Sequence, residues 1–240
     1  PRSSRPRPSR SGSTSRERAR LVTHFVRTGA SVSTVAIFGA TGRTGKRLVA
    51  AALVAGHTVR ALARDPSRVA AQQGLTVVAG DVLDPAAVAQ VVAGCDGALA
   101  ALGAGTTADP GTTRSVGIRN IVATLEALGG GRLLAVGGGG VLDSTTGPGL
   151  RSEQPGFPAV FRLVSAEHRA AWEAMRTSSL DWTYVCPPDI PDAEATGVYR
   201  VAADVMPDHP KALPTGDLAN FMVQEFTERR FPRRRVGICT

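Results

Sequence analysis

From residue 34 onward, short runs that are apolar at every position take turns with stretches in which apolar residues recur every three or four positions. A wholly apolar run has no solvent face and predicts a strand covered on both sides. The three-to-four spacing predicts a helix laid against it. Strands are predicted at Val35–Phe38, Thr58–Arg64, Leu75–Ala79, Gly97–Leu102, Arg132–Val136, Trp182–Cys186 and Val236–Cys239. Helices are predicted after the first strand and at Pro85–Ala93, Thr112–Leu128, Ala159–Thr177 and Thr215–Glu228. Pro85 suits a helix start, and Gly129–Gly131 a helix stop. Thr215 or Asp217 stands near the cap of the last helix, and segment 187–214, rich in Pro and Asp, is expected to be an insertion on the substrate side.

Strand and helix in alternation predict an α/β fold: a Rossmann-type, doubly wound, mainly parallel sheet in a single domain over residues 34–240. Such sheets bind ligands outside the carboxyl ends of their strands. Here those loops begin at Gly39, Arg64, Asp81, Gly103, Gly137 and Pro187.

The first loop carries the most specific chemistry. Val35–Phe38 runs into Gly39-Ala-Thr-Gly42-Arg-Thr-Gly45 and then a helix and a second strand. Gly39 lets the chain turn sharply out of the strand, Gly42 leaves room for pyrophosphate against backbone N–H groups, and Gly45 lets helix and sheet pack closely. The helix N-terminus offers free donors and partial positive charge to the phosphates. The spacing is G-x-x-G-x-x-G, as in the short-chain dehydrogenase/reductases. A Walker A loop is excluded, since Arg47 stands where a magnesium-holding Ser or Thr would be needed.

Charge changes the picture mainly by its location. The net charge is +8, but eight arginines and Glu17 place nearly all of it before residue 35. The rest of the chain is close to neutral and has no basic face for nucleic acid. Residues 1–33 are expected to be a disordered Arg/Ser/Pro-rich extension. An alternative is an organellar import segment, with Leu21, Val22, Phe25 and Val26 forming an apolar stripe at helical spacing. No run is long enough to span a membrane. Cys95, Cys186 and Cys239 are odd in number and lack metal-ligand spacing, which suits a reducing compartment and a cytoplasmic location. A monomer is expected.

At the end of the second strand a carboxylate would favour NAD, whereas an arginine pairs with a 2′-phosphate. Arg64 and Arg68 occupy that loop, Arg43 lies in the glycine turn, and Asp65 is displaced by one residue from the usual acid position. The cofactor is therefore expected to be NADP(H). Asp81, after the third strand, is a candidate acceptor for the adenine amino group, or else a turn-forming aspartate. The Tyr-x-x-x-Lys pair of alcohol dehydrogenases is missing: four residues beyond Tyr184 and Tyr199 stand Pro188 and Ala203. No nucleophile elbow or metal cluster replaces it. The remaining catalytic candidates are His168, on the helix before the sixth strand, and Asp189, just after it; a partly exposed helix histidine and a loop carboxylate are the plainer readings.

The stretches VAIFGATGRTG, LARDPSRV, VVAGDVLD, VGIRNIVATLEALG, AEHRAAWEAMRTSSLDWTYVCPPDI, TGVYRV and GDLANFM cover most of residues 35–240. Together they resemble the atypical, NmrA-like short-chain dehydrogenase/reductases, in the branch of biliverdin reductase B and NADPH-flavin reductase. The resemblance implies NADPH bound along Gly39, Thr41, Gly42, Arg43, Thr44, Arg64, Arg68, Asp81, Val82, Leu102, Gly103 and Pro187. It implies hydride transfer to a planar small-molecule acceptor such as a flavin or quinone, which needs alignment more than a protein acid. A non-catalytic NADP(H) sensor of NmrA type is the alternative. Three positions depart from the family. Gly138 replaces its serine beside the nicotinamide and is counted with the cofactor site; Asp189 replaces a histidine; Gly105 replaces an arginine. The last two losses make biliverdin a poor fit as acceptor.

Overall fold

The computed structural model describes residues 20–23 and 32–240. Nine strands form one sheet: β1 (Arg20–Thr23), β2 (Thr34–Phe38), β3 (Thr58–Ala63), β4 (Leu75–Ala79), β5 (Gly97–Ala100), β6 (Arg132–Val136), β7 (Asp181–Cys186), β8 (Val198–Ala203) and β9 (Arg234–Cys239). Their order is β1-β8-β9-β7-β6-β5-β2-β3-β4. All pairs from β9 to β4 are parallel, and β8 is antiparallel to both β1 and β9. This is the doubly wound sheet that the alternation predicts, and its strand order reverses between β2 and β5.

Five helices cover the sheet: α1 (Arg43–Val54), α2 (Pro85–Val92), α3 (Thr113–Ala127), α4 (Arg162–Thr177) and α5 (Thr215–Glu228). Alternate residues of each strand serve opposite layers. Ala36 and Phe38 pack with Val88, Ile121 and Met175 from α2, α3 and α4. Val35 and Ile37 pack with Leu48, Ala52, Phe221 and Met222 from α1 and α5. Both layers are shielded from water, which is why the strands are apolar throughout.

Two strands fall outside the predicted set. β8 lies within the segment expected to be a substrate-side insertion; Tyr199 and Val201 point inward while Arg200 points away, a short alternation hidden among prolines and aspartates. Arg20–Thr23, expected to be unstructured or part of a helical stripe, pairs with β8 as the edge strand β1. Phe25 and Val26, and the rest of the extension (1–19 and 24–31), lie outside the described residues.

One buried ion pair ties the far side of the fold together. Arg132 on β6 meets Glu225 of α5 at 2.7 Å and Asp181 of β7 at 2.6 Å, and both Arg132 and Glu225 are buried. Burial raises the Glu225 carboxyl above its ordinary value, and Arg132 and the Phe231 N–H oppose that rise. The segment before β8 is held by the buried carboxylate of Asp217, which accepts from the N–H groups of Thr196 (3.0 Å) and Gly197 (2.8 Å). Asp217 thus sits in the first turn of α5 and serves a neighbouring loop rather than capping its own helix.

Candidate functional site: a cavity along the carboxyl edge of the sheet

A cavity of about 510 Å³ opens where the strand order reverses. One half is lined from the β2, β3 and β4 loops by Gly39, Thr41, Gly42, Arg43, Thr44, Arg64, Arg68, Asp81 and Val82. The other half is lined from the β5, β6 and β7 side by Leu102, Gly103, Ala104, Thr113, Arg114, Val136, Gly137, His168 and Ile190.

The first half is a phosphate cradle in its chemistry. Gly39 has φ +82°, and a Cβ there would run into the Ala101 carbonyl just past neighbouring β5. Gly45 is buried beneath the turn, where a Cβ would overlap the Gly39 carbonyl, so it shapes the site without lining the cavity. Gly42 caps α1 with no side chain of its own, and no acid stands in the first helical turn. The N–H of Lys46 is the first to find a helical acceptor, the Gly42 carbonyl at 3.0 Å. The earlier N–H groups remain available to an anion. These features fit a dinucleotide.

Beyond the turn, Arg64 and Arg68 are exposed and reach the cavity. Asp65 turns its carboxylate to Ser67, accepting from the N–H at 3.1 Å and the hydroxyl at 2.6 Å. Those bonds hold Asp65 below the ordinary carboxylate range and keep it as a cap on a short 3₁₀ turn, away from the cavity. Asp81 lines the cavity while its Oδ1 accepts from the Leu83 N–H at 3.0 Å, so it forms a turn and leaves Oδ2 without a partner among the described residues. The Val82 carbonyl is anchored by Asn120 of α3 at 2.9 Å.

The second half contains one histidine and one arginine. Both were brought there by helices that start far away in sequence. His168 on α4 bonds Tyr184 of β7 through Nδ1 at 3.1 Å. Assigning the Tyr184 O–H to the His168 carbonyl, 3.2 Å away, leaves the phenol oxygen to accept from Nδ1–H and makes Nε2 the lone-pair nitrogen. Burial, with repulsion from Arg114, lowers the imidazole to about 3. It is therefore neutral near pH 7 and has no proton to donate from Nε2. The Tyr184 phenol is pushed well above its ordinary value, chiefly by burial, and so also stays protonated.

The His168 ring also accounts for the glycine run after β6. A Cβ at Gly138 would sit 2.8 Å from His168 Cδ2, and one at Gly137 would sit 2.5 Å from Tyr184 Cε1. The imidazole and phenol thus fill the space that side chains at these two positions would need. Gly137, rather than Gly138, lines the cavity.

Two other candidates stand off the cavity. Asp189 is exposed, and its Oδ1 accepts from the adjacent Ile190 N–H at 2.9 Å. Pro187 is buried outside the cavity lining. Arg114, Thr113 and Ile190 line the cavity without having been singled out from sequence. Arg114 sits just after a Pro/Gly/Asp loop at the start of α3, which was the one available clue.

A model of NAD(P)H-binding domains matches residues 39–229. The chain belongs to this NAD(P)H-binding family. Among solved structures, a candidate exported protein from Burkholderia pseudomallei is 30% identical, over 87% of this chain and 100% of its own, with a TM-score of 0.74. A candidate NADH-flavin reductase from Streptococcus pneumoniae is 26% identical, over 86% of this chain and 99% of its own, with a TM-score of 0.74. An anaerobilin reductase from Escherichia coli is similar in fold, at 22% identity over 86% and 96% of the two chains and a TM-score of 0.69. This member of the NAD(P)H-binding family has an oxidoreductase-type fold, and among its described residues no helix is long and apolar enough to cross a membrane.

Proposed function

We propose that the chain is an NADPH-dependent reductase that passes hydride to a planar acceptor of the flavin or quinone class. The observation that carries this reading is the division of the cavity. A glycine cradle with three arginines fills one half, and the other half offers no tyrosine–lysine pair to take a proton from an alcohol, its one imidazole being held near 3 and so too weak a base. The flavin-reductase description of the Streptococcus protein supports it.

In this reading the backbone around Gly39, Gly42 and Thr44 receives the pyrophosphate, and Arg64 and Arg68, with Arg43 beside them, pair with the 2′-phosphate. Asp81 receives the adenine end through its free oxygen, while Leu102 and Gly103 carry the chain past the middle of the cofactor. Bound NADPH supplies a hydride. Gly137 and Val136 give the acceptor ring a flat approach, and Leu102 and Ile190 exclude water around it. The acceptor gains the hydride and then one proton from water, since His168 is neutral and aimed at Tyr184. His168 is thereby a positioning residue rather than an acid. The three free cysteines, two of them buried, support a reducing, cytoplasmic setting.

The test mixes purified protein and NADPH with FMN, riboflavin and a panel of quinones while the absorbance of the reduced cofactor is followed. Consumption that depends on both protein and acceptor is the expected result. Tight NADP(H) binding with no consumption for any acceptor would overturn the reductase reading and leave a nucleotide sensor.

A further inference from the structure

The acceptor half of the cavity holds one guanidinium with unspent hydrogen-bonding capacity. Arg114 is half-buried at the start of α3 and lines the cavity. Its Nη1 donates to the carbonyls of Ala104 (3.2 Å) and Pro110 (3.3 Å), which fixes the side chain against the β5–α3 loop. Nη2 and Nε have no partner among the described residues, and Nη2 lies 3.7 Å from where a Cβ of Gly103 would stand. Gly103 and the unpartnered end of the fork thus lie side by side at the cavity wall.

The nearby acids are engaged elsewhere. Glu167 of α4 accepts from the Ser115 N–H (3.3 Å) and hydroxyl (3.1 Å). Asp109 accepts from the Gly111 N–H at 3.3 Å. No carboxylate lies within ion-pair distance of Arg114 among the described residues, where seven other arginines do pair with acids: Arg47, Arg132, Arg169, Arg229, Arg230, Arg234 and Arg235. A fixed, half-desolvated guanidinium with two free donors is suited to one anionic group of a ligand. His168, beside it, adds no charge of its own.

We propose that Arg114 is a specificity-determining residue that selects acceptors carrying an anionic substituent, a phosphate, carboxylate or sulfonate, on or near the planar ring. This rests on the reductase reading and names its substrate class.

The test compares matched acceptors with and without an anion: FMN against riboflavin, and a naphthoquinone sulfonate against menadione, all with NADPH. With the native chain, kcat/KM is expected to favour the anionic member of each pair by roughly tenfold, the scale of one charge-assisted hydrogen bond. In Arg114→Met the ratio should fall toward one, and Arg114→Lys should restore part of it. A preference in the FMN pair alone would assign the site to phosphate, and in both pairs to anions generally. Equal ratios in the native chain and Arg114→Met would overturn the proposal. So would a rise in the NADPH dissociation constant equal to the loss with FMN, since Arg114 would then serve the cofactor. Should no acceptor be reduced, the reductase reading fails on its own. The proposal is then read from the quenching of FMN and riboflavin fluorescence by the NADP-loaded protein, where equal affinities would overturn it.

Discussion

The two halves of the cavity are built in opposite ways. The half proposed for the cofactor comes from three consecutive β–loop units, and its shape is enforced by backbone: a left-handed Gly39, a side-chain-free Gly45, an uncapped α1. The half proposed for the acceptor is assembled from Gly103, Arg114, Gly137, His168 and Ile190, which meet only when α3, α4 and the post-β7 loop dock on the sheet. Backbone constraints tolerate few residue types and so leave a readable trace. Docked side chains depend on one another's size instead, as the His168 ring does on the missing side chain at Gly138.

The comparison can be broken most sharply at Gly45. Gly45→Val puts a branched side chain into the Gly39 carbonyl, and NADP(H) affinity is expected to fall by about two orders of magnitude or more. Equilibrium titration of cofactor fluorescence measures it, with circular dichroism confirming the fold. An affinity within a few-fold of native would show that the turn is not the cradle. Arg64→Asp comes next. NADPH binding should weaken by roughly tenfold or more while NADH binding changes little, as one charge-assisted pair to the 2′-phosphate is lost. Equal losses for both nucleotides would remove Arg64 from that role.

A smaller effect is expected in the other half. Gly138→Ser forces its Cβ toward the His168 ring, so thermal stability should drop by about 1–3 kcal/mol, the usual cost of overpacking. Acceptor kcat/KM should shift while NADPH affinity stays near native. A change confined to NADPH affinity would erase the boundary between the halves.

The smallest expected effect is a flat line. Because burial holds His168 near 3, it does not titrate between about pH 5 and 8, and kcat should show no His168-linked inflection there. An inflection near neutrality that disappears in His168→Gln would make the imidazole a proton donor after all. The same shift has a sign for stability. The folded value lies below the ordinary one of 6.5, so the unfolded chain binds more protons between the two. The contribution is complete above the unfolded value and is lost as pH falls toward 3. Urea midpoints of the native chain should decline across that window more steeply than those of His168→Gln.

Apolar runs and the glycine spacing were enough to determine the parallel core from β2 to β7, the helices over it and the glycine turn proposed to hold the phosphates. They suffice because burial on both faces and the close approach of backbone to ligand are local demands on residue type. β8 escaped because a short alternating strand at the sheet margin carries little apolar signal, and Asp217 escaped because a buried carboxylate serving a distant loop looks like a helix cap. Only the tertiary structure decided that Asp65 turns away from the cavity, that Asp189 stands outside it, and that His168 is neutral against Tyr184. Arg114 is the plainest case. In sequence it is one arginine among many, and its significance comes from the absence of a carboxylate within reach once α3 and α4 have packed.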